Sequence, residues 1–311
     1  MQFVERKKQF VLLLRALRVN QWIKNLVIFT AIIFSGQLFN VNILTESVKA
    51  FFAFCLLSST SYVLNDIIDY EYDKRHPLKK KRPIASGAIS IPEATFMVFI
   101  MTLSAVVISL LFFSIQFFFL SLLFILLHFF YSLYLKRYPV IDIFSISFSF
   151  VIRALAGEVA TGFHIPIWLL LTIFFLSLFM ATVKRHAELL TQAGRETRAS
   201  LVNYKEHLLN FLTTTFATTT IIAYSSYAYF EKLPPTKPLF GTMFDDFNKL
   251  EARRWIMITI PFIVYAISRY AQLLYERDEG EAPEKIIVRD RPLMATIFLW
   301  VTTVVVLIYV L

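Results

Sequence analysis

Asn65, Asp66, Asp69 and Asp73 place four oxygen-bearing side chains within one short stretch. A helix advances about 100° per residue, so Asn65, Asp69 and Asp73 form one stripe, with Asp66 one turn from Asp69. Carboxylates this close repel one another unless a cation intervenes. Oxygen-only ligands favour Mg²⁺, which commonly bridges one or two carboxylates and the phosphates of a substrate. The spacing therefore predicts a Mg²⁺ site with Asn65, Asp66, Asp69 and Asp73 as ligands. Asp66, Asp69 and Asp73 are the candidate catalytic residues.

Basic residues follow directly, in Lys74-Arg75-His76-Pro77-Leu78-Lys79-Lys80-Lys81-Arg82-Pro83. Beside an acidic face they suit a phosphate-rich ligand, with Lys79 and Arg82 reaching phosphate oxygens that a metal leaves free. The bland alternatives are a solvated helix end and a basic loop that sets topology or touches lipid headgroups. The stretch 65–91 is the candidate catalytic loop.

The elements that must carry this loop are membrane helices. The chain has 311 residues, 57% hydrophobic and 17% charged, with 33 Phe. Soluble domains run at about 45–50% apolar and about 25% charged. Mean hydropathy is +0.63. One cysteine, Cys55, excludes a disulfide framework within the chain. The net charge of +9 lies between apolar spans, which favours a membrane surface or an anionic substrate over nucleic acid. Spanning needs about 20 mostly apolar residues. Nine segments approach that length: 22–39, 47–64, 92–114, 116–135, 140–161, 165–183, 207–229, 254–275 and 293–311. The short joins Ser114–Gln116 and Gly162–Pro166 imply antiparallel hairpins. Residues 1–20 show no cleavable signal peptide and are expected to form an amphipathic interfacial segment, with Phe10, Leu13, Leu14 and Leu17 opposite Arg15 and Arg18.

Of the 31 Lys and Arg residues, 23 fall on one set of loops and 6 on the other. The positive-inside rule then puts the amino terminus and the acidic loop in the cytoplasm and the carboxyl terminus outside, in a cell (inner) membrane. A homo-oligomer is open on this reading.

The run Asn-Asp-x-x-Asp-x-x-x-Asp at Asn65–Asp73 resembles the first Asp-rich motif of the UbiA prenyltransferase superfamily. The continuation His76 to Gly87, with Gln21-Trp22-Ile23-Lys24-Asn25 and Arg153-Ala154-Leu155-Ala156-Gly157, resembles the decaprenyl-phosphate phosphoribosyltransferase branch. The resemblance covers most of the chain. It implies an all-α polytopic domain over 1–311, with nine transmembrane helices around a central cavity opening to the cytoplasm. The implied substrates are phosphoribosyl diphosphate and a polyprenyl (decaprenyl-type) phosphate. Many superfamily members carry a second Asp-rich motif after the sixth span; here that place reads Lys184-Arg185-His186-Ala187-Glu188-Leu189. Such a segment loses metal ligands and gains cations for a sugar 5-phosphate.

Lys24 is an interfacial anchor or a phosphate ligand. Tyr131 and Lys136 resemble family positions lining the cavity. Asp142 and Arg153 share a helix face about 16 Å apart, too far to pair with each other. Arg153 lies deep in a span, where a charge needs a cavity or a partner; an ion pair across helices competes with a substrate contact. Lys184, Arg185 and Glu188 form a substrate-binding cluster or a solvated helix end. Glu158 reads as structural, and Asp290 either caps the last span or covers the site. The alternatives to phosphoribosyl transfer are transfer of an isoprenyl diphosphate to an aromatic or lipid acceptor, and anion transport.

Overall fold

The computed structural model describes residues 11–77, 79–190, 204–231, 252–277 and 289–310. It is built of helices α1 (Thr30–Phe34), α2 (Val41–Ile68), α3 (Tyr70–Arg75), α4 (Ile91–Phe112), α5 (Ile115–Leu133), α6 (Ile141–Thr161), α7 (Ile167–Leu190), α8 (Glu206–Phe230), α9 (Ile260–Arg277) and α10 (Arg291–Tyr309). Four 3₁₀ stretches, Val19–Phe29, Lys79–Lys81, Leu135–Arg137 and Ala252–Thr259, join them. Among the described residues there is no strand. The interfacial segment expected at 1–20 falls partly outside the described residues; of the rest, 11–16 are helical.

Among the described residues, 7 helices are long and apolar enough to cross a membrane: α2, α4, α5, α6, α7, Trp255–Leu273 and α10. The expected count of nine is therefore not reached on that measure, and two segments account for the difference. The first expected span, 22–39, is instead a 3₁₀ run Val19–Phe29 followed by the short α1. Sixteen residues would reach only about 24 Å as α-helix. The steeper 3₁₀ rise stretches this path to about 30 Å, the thickness of a hydrocarbon core. The other, α8, is long but rich in threonine. Its hydroxyls bond to their own helix: Thr213 to the Leu209 carbonyl at 2.7 Å, Thr219 to Thr215 at 2.9 Å and Thr220 to Phe216 at 2.6 Å. Polar groups satisfied in this way can be buried without water.

The hairpin joins are as short as the sequence implies. α4 ends at Phe112 and α5 begins at Ile115; α6 ends at Thr161 and α7 begins at Ile167. Gly162 caps α6 with φ 74° and donates to the Glu158 carbonyl at 2.8 Å. Glu158 then accepts from the Ile165 amide at 3.0 Å, the structural role expected of it.

α2 has 28 residues, about 42 Å of helix, so it outruns the hydrocarbon by about two turns. Its last turn carries Asn65 and Asp66 out to the rim. Phe54 on α2 meets Phe117 and Phe124 of α5 edge-on, with centroids 5.7 and 5.2 Å apart. α10 returns to the start of the chain. Its Tyr309 hydroxyl donates toward the Ile32 and Ile33 carbonyls at 3.0 and 2.8 Å. Asp290 caps α10 by accepting from the Leu293 amide at 2.9 Å and pairs with Arg269 of α9 at 2.8 Å. The capping alternative for Asp290 is therefore the one observed.

At Gly157, α6 meets the backbone of the amino-terminal 3₁₀ run. A Cβ there would lie 2.0 Å from the Ile28 carbonyl oxygen, which is backbone and cannot rotate away. Alanine is favoured over glycine in a helix by up to about 1 kcal/mol. Overpacking costs about 1–3 kcal/mol, and the backbone clash puts this site at the upper end. Gly157→Ala is thus expected to lower the thermal midpoint of the purified protein in detergent; an unchanged or higher midpoint contradicts the packing.

Candidate functional site

The acidic motif straddles a break between two helices. α2 ends at Ile68, Asp69 takes φ −89° and ψ 7°, and α3 begins at Tyr70. Backbone bonds nevertheless run through the break, from Asp69 N to the Asn65 carbonyl at 2.9 Å and from Asp73 N to the Asp69 carbonyl at 2.8 Å. The side chains sort into two pairs and do not form the single four-oxygen face expected from helical phase. Asn65 Nδ2 donates to Asp69 Oδ2 at 3.0 Å. Asp66 and Asp73, two turns apart and each 3% exposed, are bridged by Arg82.

Each pair holds a basic side chain. Arg82 Nη1 lies 3.0 Å from Asp66 Oδ1 and 2.5 Å from Asp73 Oδ2. Arg18 adds its Nη2 to the same Asp66 oxygen, while its guanidinium lies 5.0 Å over the Tyr62 ring. Lys136 reaches Asp69 Oδ1 at 2.5 Å and Asn65 Oδ1 at 3.4 Å. Burying a carboxylate costs several kcal/mol unless such partners are present. The loop is folded to supply them. Ile84, 1% exposed, plugs beneath α2 and α4 among Val63, Ala94 and Met101, and this sets Arg82 two residues earlier. Ser86 N bonds back to the Arg82 carbonyl at 2.9 Å. His76 is buried, and burial followed by the Lys79 ammonium lowers its pKa below the ordinary histidine value. Its neutral Nδ1 accepts from the Lys79 amide at 3.3 Å.

Among the described residues, no three His, Cys, Asp or Glu side chains converge on one point. Mg²⁺ does not require three, because substrate phosphates and water complete its octahedron. The donor set is of the type Mg²⁺ takes: Asp66 and Asp73 both direct an oxygen at one point, now held by Arg82 Nη1 at 3.0 and 2.5 Å. Asp69 and Asn65 supply further oxygens one turn away.

A second cluster joins the carboxyl-terminal ends of α5 and α7 to the start of α6. Arg185, 1% exposed, donates from Nε to Asp142 Oδ2 at 2.6 Å, from Nη1 to Glu188 Oε2 at 2.6 Å and from Nη2 to Tyr131 Oη at 3.2 Å. Asp142 therefore pairs with Arg185, 43 positions away, consistent with its being too far from Arg153. Lys184 lies beside Arg185 and is half-buried. Lys136, in the 3₁₀ stretch after α5, connects this end of the bundle to the acidic motif.

Arg153 belongs to neither cluster. It is 3% exposed. It donates to Asn25 Oδ1 at 2.7 Å, to the Ser149 carbonyl and Oγ at 2.9 Å each and to Ser58 Oγ at 3.4 Å. Phe124 and Phe150 present their ring faces at 4.6 and 5.2 Å. The ion pair across helices considered for it is absent among the described residues. Neutral acceptors and ring faces hold it instead, stapling the first 3₁₀ run, α2 and α6. Lys24 lies in the same 3₁₀ run, half-buried, next to Asn25. Two residues of these networks carry no local signal in the sequence: Arg18, 48 positions from Asp66, and Tyr204, 62 positions from Asp142.

A family model, that of the UbiA prenyltransferase family, matches residues 26–243. The decaprenyl-phosphate phosphoribosyltransferase of Corynebacterium glutamicum is 33% identical over 306 residues, covering 96% of this chain and 87% of that protein. The decaprenyl-phosphate phosphoribosyltransferase of Mycolicibacterium smegmatis is 34% identical over 306 residues, covering 96% and 92%. Among solved structures, a UbiA homologue from Archaeoglobus fulgidus bound to GPP and Mg²⁺ superimposes with a TM-score of 0.68 at 18% identity, covering 96% of this chain and 99% of that one. That likeness shows the fold, a multi-pass helical membrane protein. With the acidic motif, the helical bundle and near full-length relatives in agreement, the chain belongs to the UbiA prenyltransferase family.

Proposed function

We propose that this chain is a membrane phosphoribosyltransferase. It moves 5-phosphoribose from phosphoribosyl diphosphate to a polyprenyl, decaprenyl-type phosphate and releases diphosphate. The observation that carries this reading is the near full-length likeness to two curated decaprenyl-phosphate phosphoribosyltransferases. The site chemistry supports it: where a second acidic motif would bind another metal, this chain has the buried guanidinium of Arg185.

In this reading Asp66 and Asp73, with Asp69 and Asn65 beside them, are the residues that would hold Mg²⁺. The bound ion supplies charge neutralisation of the diphosphate leaving group. Lys79, Arg82 and Lys136 take the remaining diphosphate oxygens. Lys184 and Arg185 face the 5-phosphate, with Glu188 and Asp142 fixing Arg185 and Tyr131 at its far nitrogen. Lys24 is a phosphate ligand at the start of the first span, and Arg153 supports the same end by holding Asn25. The bond from C1 to the diphosphate oxygen breaks as a phosphate oxygen of the lipid bonds to C1. The lipid phosphate is already anionic at neutral pH, so no strong protein base is needed. Catalysis is alignment of two anions and stabilisation of the departing charge. The amino terminus and the site face the cytoplasm, and the isoprenoid enters sideways between Phe-rich helices.

Purified protein is expected to convert labelled phosphoribosyl diphosphate and polyprenyl phosphate into a lipid-linked phosphoribose, with loss of product when EDTA removes Mg²⁺. Prenylation of an aromatic acceptor from an isoprenyl diphosphate, with no lipid-linked phosphoribose, overturns the assignment. Flux of phosphate through proteoliposomes without any transfer would select the transporter reading instead. Asp66→Asn and Asp73→Asn are each expected to lower kcat by about 100-fold or more, the scale for losing a main electrostatic contact to a developing charge. Rates within threefold of wild type rule these two carboxylates out of the reaction. Lys136→Met is expected to raise the KM for phosphoribosyl diphosphate about 10-fold, since it removes one charged contact. An unchanged KM assigns Lys136 to holding Asp69 alone.

A further inference from the structure

The turn into α6 is strained at one residue. Val140 adopts φ 68° and ψ −47°. That region is unfavourable for any side chain, and more so for a β-branched one. The Ile141 amide bonds to the Pro139 carbonyl at 2.8 Å, which closes a γ-turn centred on Val140. The Val140 amide is thereby turned toward Tyr204 and donates to its hydroxyl oxygen at 2.6 Å.

The same hydroxyl donates onward to Asp142 Oδ1 at 2.7 Å. Asp142 Oδ1 also accepts from the Ile143 amide at 2.9 Å, and Oδ2 accepts from Arg185 Nε at 2.6 Å. Both oxygens of this fully buried carboxylate are therefore directed. The ring of Tyr204 is 4% exposed and packs in a core with Ile143 and Leu209. Burial, and after it the Asp142 carboxylate, raise the phenol pKa above its ordinary value, so the hydroxyl remains a proton donor.

We propose that Tyr204 is a positioning residue for donor binding: it aims the Asp142 carboxylate, which aims the Arg185 guanidinium at the sugar phosphate. The strained turn at Val140 is retained because it presents the amide that orients the Tyr204 hydroxyl. This inference rests on the reading of Arg185 as a phosphate ligand. Tyr204 itself touches no substrate; it acts through two side chains.

Tyr204→Phe keeps the ring in its core and deletes the hydroxyl. Its dissociation constant for phosphoribosyl diphosphate, measured by calorimetry with Mg²⁺ present, is expected to rise about 5- to 10-fold, the equivalent of one hydrogen bond. The KM for polyprenyl phosphate is expected to stay within twofold. The double variant Val140→Gly with Tyr204→Phe separates positioning from stability. Glycine accepts the positive φ without strain and should recover thermal midpoint, while donor affinity stays weak. Recovery of donor affinity together with stability shows that Tyr204 serves the fold alone and overturns the proposal. A Tyr204→Phe constant within twofold of wild type overturns it as well. Wild-type protein that binds no phosphoribosyl diphosphate overturns the reading of the site, and this proposal with it.

Discussion

The carboxylates gathered at the helix ends around the acidic motif, buried or half-buried, must each be matched by a cation. A charged group taken from water into a helix bundle loses several kcal/mol of solvation, and removal of one partner from a buried pair costs about 3–5 kcal/mol. Asp66 and Asp73 meet this requirement with Arg82 and Arg18, Asp69 with Lys136, and Asp142 with Arg185. The partners come from four separate stretches of chain. The clusters therefore do two jobs. They tie the rim together, and they collect in one region the cations that a phosphate-rich substrate requires.

The rest of the bundle serves that gathering. α2 is long enough to lift Asn65 and Asp66 above the hydrocarbon. Ile84 anchors the basic loop so that Arg82 returns beneath the acidic helix end. On the other side of the helix ends, α5 leads into the 3₁₀ stretch bearing Lys136, while the strained turn at Val140 starts α6 with Asp142 in place. Gly157 lets the first 3₁₀ run lie against α6, and Arg153 holds Asn25 of that run. No acidic partner for Arg153 is present among the described residues; Asn25, Ser58, Ser149 and two aromatic faces take its charge instead.

Much of this was legible in the sequence, because apolar runs and helical spacing are local properties. Seven of the nine expected spans and the two hairpin joins follow from apolar run length, and the neighbour relation of Asn65 to Asp69 follows from helical spacing. The resemblance to a known family pointed to Lys136 and Arg185, which the structure brings against Asp69 and Asp142. Hydropathy cannot tell 3₁₀ from α-helix, so the first span was expected to be an ordinary helix. Nor does a hydropathy window register that threonine hydroxyls in α8 bond to their own backbone. The pairings of Arg18 with Asp66 and Tyr204 with Asp142 cross between distant segments, and no local pattern encodes them. The division of the acidic motif into two pairs follows the cations: Asp66 and Asp73, two turns apart, meet Arg82, while Asp69 meets Lys136, and those partners come from distant segments.

In the proposed function the paired clusters together read a sugar diphosphate bearing a second phosphate. A competition experiment addresses it most directly: displacement of bound, labelled phosphoribosyl diphosphate by unlabelled phosphoribosyl diphosphate or by geranyl diphosphate, with and without Mg²⁺. The phosphoribosyl compound is expected to win by at least about 10-fold, an energy of one charged hydrogen bond or more, with a margin that depends on Mg²⁺. Equal or tighter binding of geranyl diphosphate would contradict it, because the Arg185 cluster would then contribute nothing to the choice of donor.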